Sequence, residues 1–265
     1  MFIRWALIAL AAGELSLSAP DSAPAPASAR LRYRIEQKTE NRLDLSAFGQ
    51  PEQVQNSAFA WYITISYTDS AGGAVVHAVL DSLQVDLGDM PSTQTSIDSA
   101  KGTVYHGFVN AGRKVQQLAA DKQSLYGAQF EAILRSFHPA WRPHAKAGDK
   151  WTDTLDVKLD TPSIKTQSRS VRSYTMAGPA SWEGSQASKL DVAFEETQSG
   201  TLETPGGPAQ LAGKTTGTGT WYVTSDGRYL GGKSSSTGDG TVTVAAAPSA
   251  IPLKSTTTTL VTLIK

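Results

Sequence analysis

Residues 59–67 alternate without a break: Phe59, Trp61, Ile63, Ile65 and Tyr67 stand against Ala60, Tyr62, Thr64 and Ser66. A period of two places the first set on one face of a β-strand. Asp69-Ser70-Ala71-Gly72-Gly73 supplies a turn, and residues 75–87 return as the partner strand. The alternation slips near Asp81, where a bulge is expected. Upstream, Leu31, Tyr33, Ile35, Leu43 and Leu45 interleave with charged residues and predict a long, half-buried strand. Residues 46–57, with Gly49, Pro51 and Asn56, read as a loop, and residues 88–100 as a polar loop. Residues 103–108 and 114–118 form a hairpin about Asn110-Ala111-Gly112.

One stretch changes period. Leu125, Tyr126, Phe130, Ile133, Leu134 and Phe137 recur at spacings of three and four, predicting a single amphipathic helix. Asp121 or Ser124 caps it, and His138-Pro139 stops it. Gly127 costs about 1 kcal/mol inside that helix. Burying six large apolar side chains at roughly 1.5–3 kcal/mol each outweighs this, so the helix must lie on an apolar surface. A hinge carrying Pro139, Trp141 and Pro143 then runs to Trp151.

Strand patterns resume with Trp151, Leu155, Val157 and Leu159. Residues 164–176 and 182–194 bracket an expected turn at Gly178-Pro179, and Pro205-Gly206-Gly207-Pro208 marks another. Residues 211–223 and 228–235 flank a hairpin at Ser225-Asp226-Gly227, and β-branched residues over 256–264 predict a final strand. Gly102-Thr103-Val104-Tyr105 ahead of Gly112-Arg113 is echoed by Gly219-Thr220-Trp221-Tyr222 ahead of Gly227-Arg228. The expected fold is therefore mainly β. It is an antiparallel incomplete barrel, or curved sheets, from two pseudo-repeated halves (about 31–120 and 151–265). The helix and hinge of 121–150 join them in a single domain, 28–265.

Composition narrows the partners. The 265 residues carry 24 basic and 24 acidic side chains, so no field exists to attract nucleic acid or an anionic membrane. The absence of cysteine excludes disulfides, cysteine catalysis and thiolate zinc sites. Met1 to Ala12 has Arg4 followed by a short apolar run, and Ala/Pro/Ser-rich sequence follows. Residues 1–27 thus read as a signal peptide, with Ala25-Pro26-Ala27 as the cleavage site and cleavage after Gly13 as the competing choice. Export to the periplasm or the exterior is expected. No later segment is long enough to span a bilayer, so no integral span is expected after cleavage.

Chemistry-bearing motifs are sparse. Residues 227–234 spell a phosphate-loop pattern, but the residues after it break helices, and that loop needs a helix N-terminus. His138, His144 and Asp149 lie close in sequence without a zinc spacing, and His77 and His106 could share a strand face. Asp153 with Asp156, or Glu195 with Glu196, are the conceivable acid/base pairs for a carbohydrate-active enzyme. There is no Gly-x-Ser-x-Gly elbow. No catalytic residue, metal or cofactor is expected. The aromatic positions are more suggestive: Phe59, Trp61, Tyr126, Phe130, Phe137 and Trp151 could line an apolar pocket between the helix and a curved sheet.

Gly148-Asp149-Lys150-Trp151, the later Gly217-Thr218-Gly219-Thr220-Trp221 and Asp226-Gly227 together resemble a family of uncharacterised secreted bacterial β-rich proteins. The resemblance spans most of 31–265 and implies no assigned activity. Many members are lipid-anchored through a cysteine, which this chain lacks. More distantly, long antiparallel strands with one apolar helix are similar to the half-barrels of periplasmic lipoprotein carriers, an analogy of fold. The resulting expectation is non-catalytic binding of a lipid or other apolar or amphiphilic small molecule in the cell envelope. The alternative is a structural or protein-interaction module using exposed strand edges such as residues 164–176. A carbohydrate-active enzyme ranks third. Ligand identity and oligomeric state are not legible.

Overall fold

The computed structural model describes residues 29–88, 94–160, 164–203, 207–244 and 249–264. The leader expected over 1–27 lies outside the described residues, as do Pro205 and Gly206 of one expected turn. The first meander comprises β1 (Ala29–Leu43), β2 (Gln53–Ser70), β3 (Gly73–Asp86), β4 (Val104–Asn110) and β5 (Val115–Ala120). A short helix, α1 (Gln94–Ala100), lies between β3 and β4, and the longer α2 (Leu125–Ser136) follows β5. The second meander comprises β6 (Lys150–Asp160), β7 (Ile164–Trp182), β8 (Ser185–Leu202), β9 (Ala209–Val223), β10 (Tyr229–Val244) and β11 (Ile251–Ile264).

All eleven strands form one antiparallel sheet in the order β5-β4-β3-β2-β1-β11-β10-β9-β8-β7-β6. The two meanders join where β1 pairs with β11. The incomplete barrel expected from the alternation is what forms: β5 and β6 are the unpaired edges, and α2 packs on both. Unsatisfied edge groups are a liability, and this gap is managed by side chains. Arg135 of α2 donates to the Leu118 carbonyl of β5 at 2.8 Å. Lys114, just before β5, reaches the Thr154 carbonyl (2.7 Å) and the Asp153 carboxylate (3.2 Å) of β6.

The hinge closes one end. Trp141 donates its amide to the Gly112 carbonyl and lays its ring over Gly227, whose positive φ and missing Cβ leave the room. Arg113 donates to the Asp226 carbonyl at 2.8 Å, so the turns of the two similar hairpins meet there. The hairpins themselves differ in place: β4–β5 is at the sheet edge, β9–β10 inside it. Within Gly148-Asp149-Lys150-Trp151, Gly148 donates to Met176 and Asp149 accepts from it, which clamps the hinge to β7. Trp151 stacks on Tyr174 at 5.5 Å and donates to the Ala140 carbonyl.

Several expectations need correction. Residues 94–100 form a helix rather than loop, because Ile97 and Ala100, three apart, are buried together. β2 starts at Gln53, inside the stretch read as loop, since pairing with β1 (Leu43 to Gln53) satisfies its polar backbone. β7 continues past Gly178-Pro179, with a register shift against β8 between Met176 and Gly178, and turns at Glu183-Gly184. Pro179 is tolerated because β6 pairs with β7 only as far as Thr175, leaving the strand locally an edge. Residues 164–176 are covered by β6 and β8, so they are no docking edge. Leu125 is exposed, and Ser124 is the helix cap, accepting from the Gly127 amide at 3.1 Å. The bulge does fall at Asp81, between the pairs Tyr62–Ser82 and Ile63–Leu80.

Candidate functional site

Inward positions of the strands share one plan: apolar residues at both ends and small polar ones between. β1 presents Tyr33 and Ile35, then Gln37, Thr39 and Asn41, then Leu43. β7 presents Ile164, then Thr166, Ser168, Ser170 and Arg172, then Tyr174 and Met176. β11 repeats it with Ile251 and Leu253, Ser255, Thr257 and Thr259, then Val261. Stacked around the barrel, these rows make three layers. An aromatic layer under the hinge gathers Tyr33, Trp61, Phe130, Phe137, Tyr174 and Tyr229. At the opposite end Leu43, Leu159, Leu202, Leu211, Val242 and Ile251 form a smaller aliphatic layer.

Between them lies a chamber of about 360 Å³. That is room for roughly a dozen waters at about 30 Å³ each. Phe59, Trp61, Ile133, Leu155, Val157 and Phe194 supply its apolar lining. Polar residues interleave with these: Ser170 and Ser168 pair with Leu155 and Val157, Arg172 pairs with Phe194, Glu196 follows Phe194 on the same strand face, and Ser234, Ser236, Thr257 and Thr259 line the rest. A hollow of about 200 Å³ shares Ser170, Arg172 and Glu196 and extends toward Phe137 and Trp221. Helix α2 contributes Gln129, Ala132, Ile133 and Ser136 to the chamber.

The polar groups are unevenly satisfied. The Trp61 indole N–H and the Gln129 side-chain amide have no hydrogen-bond partner among the described residues, although both residues are almost fully buried (1% and 5% exposed). An unmet buried donor costs about 1–3 kcal/mol. Arg172 donates to the Ser136 carbonyl at 3.0 Å, where its charge complements the helix C-terminus, and its guanidinium lies 5.6 Å from the Trp221 ring centroid. Glu196 is held above the usual carboxylate range by burial, an effect that the Arg172 charge partly offsets. These are the two charged residues lining the chamber, and they are not in ion-pair contact with each other.

Of the aromatic residues singled out from sequence, Phe59 and Trp61 line the chamber, stacked on one another at 5.0 Å. Phe137 borders the upper hollow and packs edge-on against Tyr33 and Tyr229. Tyr126 packs edge-on against Phe59 and belongs to the aromatic layer, as does the fully buried Phe130. Trp151 serves the hinge clamp. Sequence reading named Glu196 only as half of a carboxylate pair with Glu195, and it missed Arg172, Gln129 and the inward serines and threonines. The available signal was parity: Tyr174 and Met176 lie on the same strand face as Arg172, and Leu190, Val192 and Leu202 on that of Glu196.

The other motifs dissolve. Glu195 points outward beside Lys214 while Glu196 points inward, so adjacent strand residues cannot act as a pair. Asp153 binds Lys114 and Asp156 binds Arg169. His138 is buried against Tyr67 and Phe137, and burial lowers its pKa to about 3. His77 and His106 do face each other across β3–β4, with centroids 5.0 Å apart. No cluster of three or more potential metal-ligating side chains occurs among the described residues. Residues 227–234 form a turn and strand with no helix after them. A broader hollow of about 920 Å³ lies on the outer face, bordered by Glu36, Lys38, Asp191 and Lys233. Among the described residues, its lining includes no buried side-chain atom left without a hydrogen-bond partner.

No family model matches this chain, and no curated protein matches it. Among solved structures, a triple mutant of the Rhodopseudomonas blastica porin is similar over 89% of this chain and all of that one, at 7% identity and a TM-score of 0.25. OmpT, an outer membrane protein of Vibrio cholerae, is similar over 90% of this chain and 98% of that one, at 7% identity and a TM-score of 0.18. Scores this low lie below those of a shared fold. The outer strand faces also differ from what lipid requires. A membrane barrel presents an apolar band, whereas β1 and β7 here point Arg32, Lys38, Arg42, Lys165 and Arg169 outward. No helix among the described residues is long and apolar enough to cross a membrane.

Proposed function

We propose that this protein is a non-catalytic binding protein that holds a compact amphiphilic molecule in the central chamber. The carrying observation is the pair of buried donors, Trp61 and Gln129, unpartnered among the described residues, on the wall of a chamber lined by both apolar and polar side chains. A ligand acceptor would meet donors that the fold leaves unmet, and its apolar part would cover Phe59, Ile133 and Phe194. The volume narrows the lipid reading. Each methylene takes roughly as much room as a water, so two full-length acyl chains do not fit. Non-catalytic action is favoured because, among the described residues, Glu196 is the one carboxylate lining the chamber and no nucleophile–base pair accompanies it. The signal-like leader supports work in the cell envelope.

Native mass spectrometry of protein purified from an exporting host without detergent tests this. A copurifying small molecule, lost on substituting Ser234→Leu to fill the chamber, is the expected result. A bare mass, together with no thermal stabilisation across a library of small amphiphiles, would sink it.

A further inference from the structure

We infer that the chamber reads a zwitterion: a short apolar peptide with free ends, its carboxylate on Arg172 and its ammonium on Glu196. This rests on the chamber being a binding site, as proposed above. Arg172 and Glu196 are diagonal neighbours on β7 and β8, since Arg172 pairs with Phe194 and Ser170 with Glu196. Diagonal side chains on one strand face start roughly 7–8 Å apart, a gap that one small dipolar molecule bridges and that the two leave unbridged.

The charges present select the charges missing. With one guanidinium and one carboxylate on its walls, the chamber balances a dipolar guest, whereas a guest of either single sign leaves one wall charge opposed and desolvated. Arg172 is suited to the anionic end. One nitrogen is fixed on the Ser136 carbonyl and one face lies over Trp221, which orients the remaining donors of a planar fork made for carboxylate. Glu196 has no hydrogen-bond donor on it among the described residues, leaving its oxygens for an ammonium. The amide carbonyl of a dipeptide supplies the acceptor that Trp61 and Gln129 lack, and an apolar side chain lies against Phe59 and Phe194. An apolar free amino acid has the same two charges but no such carbonyl.

The test is isothermal titration near pH 7 with four forms of one dipeptide, Ala-Phe: free, N-acetylated, C-amidated, and blocked at both ends. The free form should bind at least roughly 10-fold more tightly than either singly blocked form, the scale of one charged hydrogen bond. Glu196→Gln should remove the preference for a free amine and leave that for a free carboxylate, and Arg172→Lys should weaken the carboxylate preference. Should blocked and free forms bind alike, the zwitterion inference falls while the chamber remains a binding site. If no form binds, the inference falls as well, and the copurified mass then decides whether the chamber holds anything.

Discussion

In β1, Tyr33 is fully buried in the aromatic layer, and Gln37 and Thr39, a few positions on, face a chamber. The same strand, in the same sheet, builds a solid and then a hollow. The aromatic layer is cross-braced: Phe137 touches Tyr33 and Tyr229 edge-on, Tyr105 touches Phe130, and the Tyr33 hydroxyl donates to the Tyr229 carbonyl at 2.7 Å. The chamber layer sets serines and threonines of nearly one size, and two opposed charges, among its large apolar side chains. What differs between the layers is side-chain volume, since the backbone ladder is continuous through both. Stability and binding are thus assigned to different rungs of one ladder.

That division can be broken at several points. Phe130→Ala should cost about 3–5 kcal/mol, because a fully buried ring leaves a cavity the braced layer cannot collapse. Urea denaturation measures it, and a loss below about 1 kcal/mol would mean that the aromatic layer is as loose as the chamber.

Acid should act on the same layer next most strongly. The unfolded chain protonates His138 near pH 6.5, but the buried ring resists protonation down to about pH 3. The stability from neutral His138 is therefore whole above pH 6.5 and drains as pH falls through that window, by up to about 1.4 kcal/mol per pH unit. Glu196 has the opposite sign. Its raised pKa favours the folded state on acidification, and that contribution fades as pH rises through the folded pKa. The wild-type urea midpoint should fall between about pH 7.5 and about pH 5, and His138→Gln should flatten the fall. An undiminished fall in the variant would place the acid-sensitive group elsewhere.

Ser124→Ala removes the cap of α2 and should cost about 1 kcal/mol, readable in the same titration. Smallest of all should be the stability change for Ser234→Leu, under about 1 kcal/mol, because the side chain enters space already empty. A large loss there would mean that the chamber wall is as tightly fitted as the aromatic layer.

Much of the fold was legible because apolar alternation survives wherever a strand borders one of the two solid layers. Residues 59–67 declared their face, and Asp81 declared its bulge. The chamber silenced that signal. Along 164–172 both faces are polar, so period two carries no contrast, and Arg172 is indistinguishable from Arg169 without reference to Tyr174 and Met176. Gly178-Pro179 misled for a different reason: the pair is a turn signal in isolation, and only the early end of β6 makes it acceptable mid-strand. Phe130 was recognised as buried, but its place in solid packing rather than on the chamber wall depends on neighbours more than 20 residues away, such as Tyr105.

The seam between β1 and β11 has a consequence in time. Thr39 and Thr257, 218 residues apart, share a hydroxyl hydrogen bond of 3.1 Å in the middle of the sheet. Contacts of such separation are slow to form. As the chain emerges from synthesis, β1 has β2 on one side and nothing on the other until β11 (Ile251–Ile264) arrives. The centre of the finished sheet is thus an open edge until β11 is made. Any factor that guards the nascent chain against sticking to its copies would have its longest task there.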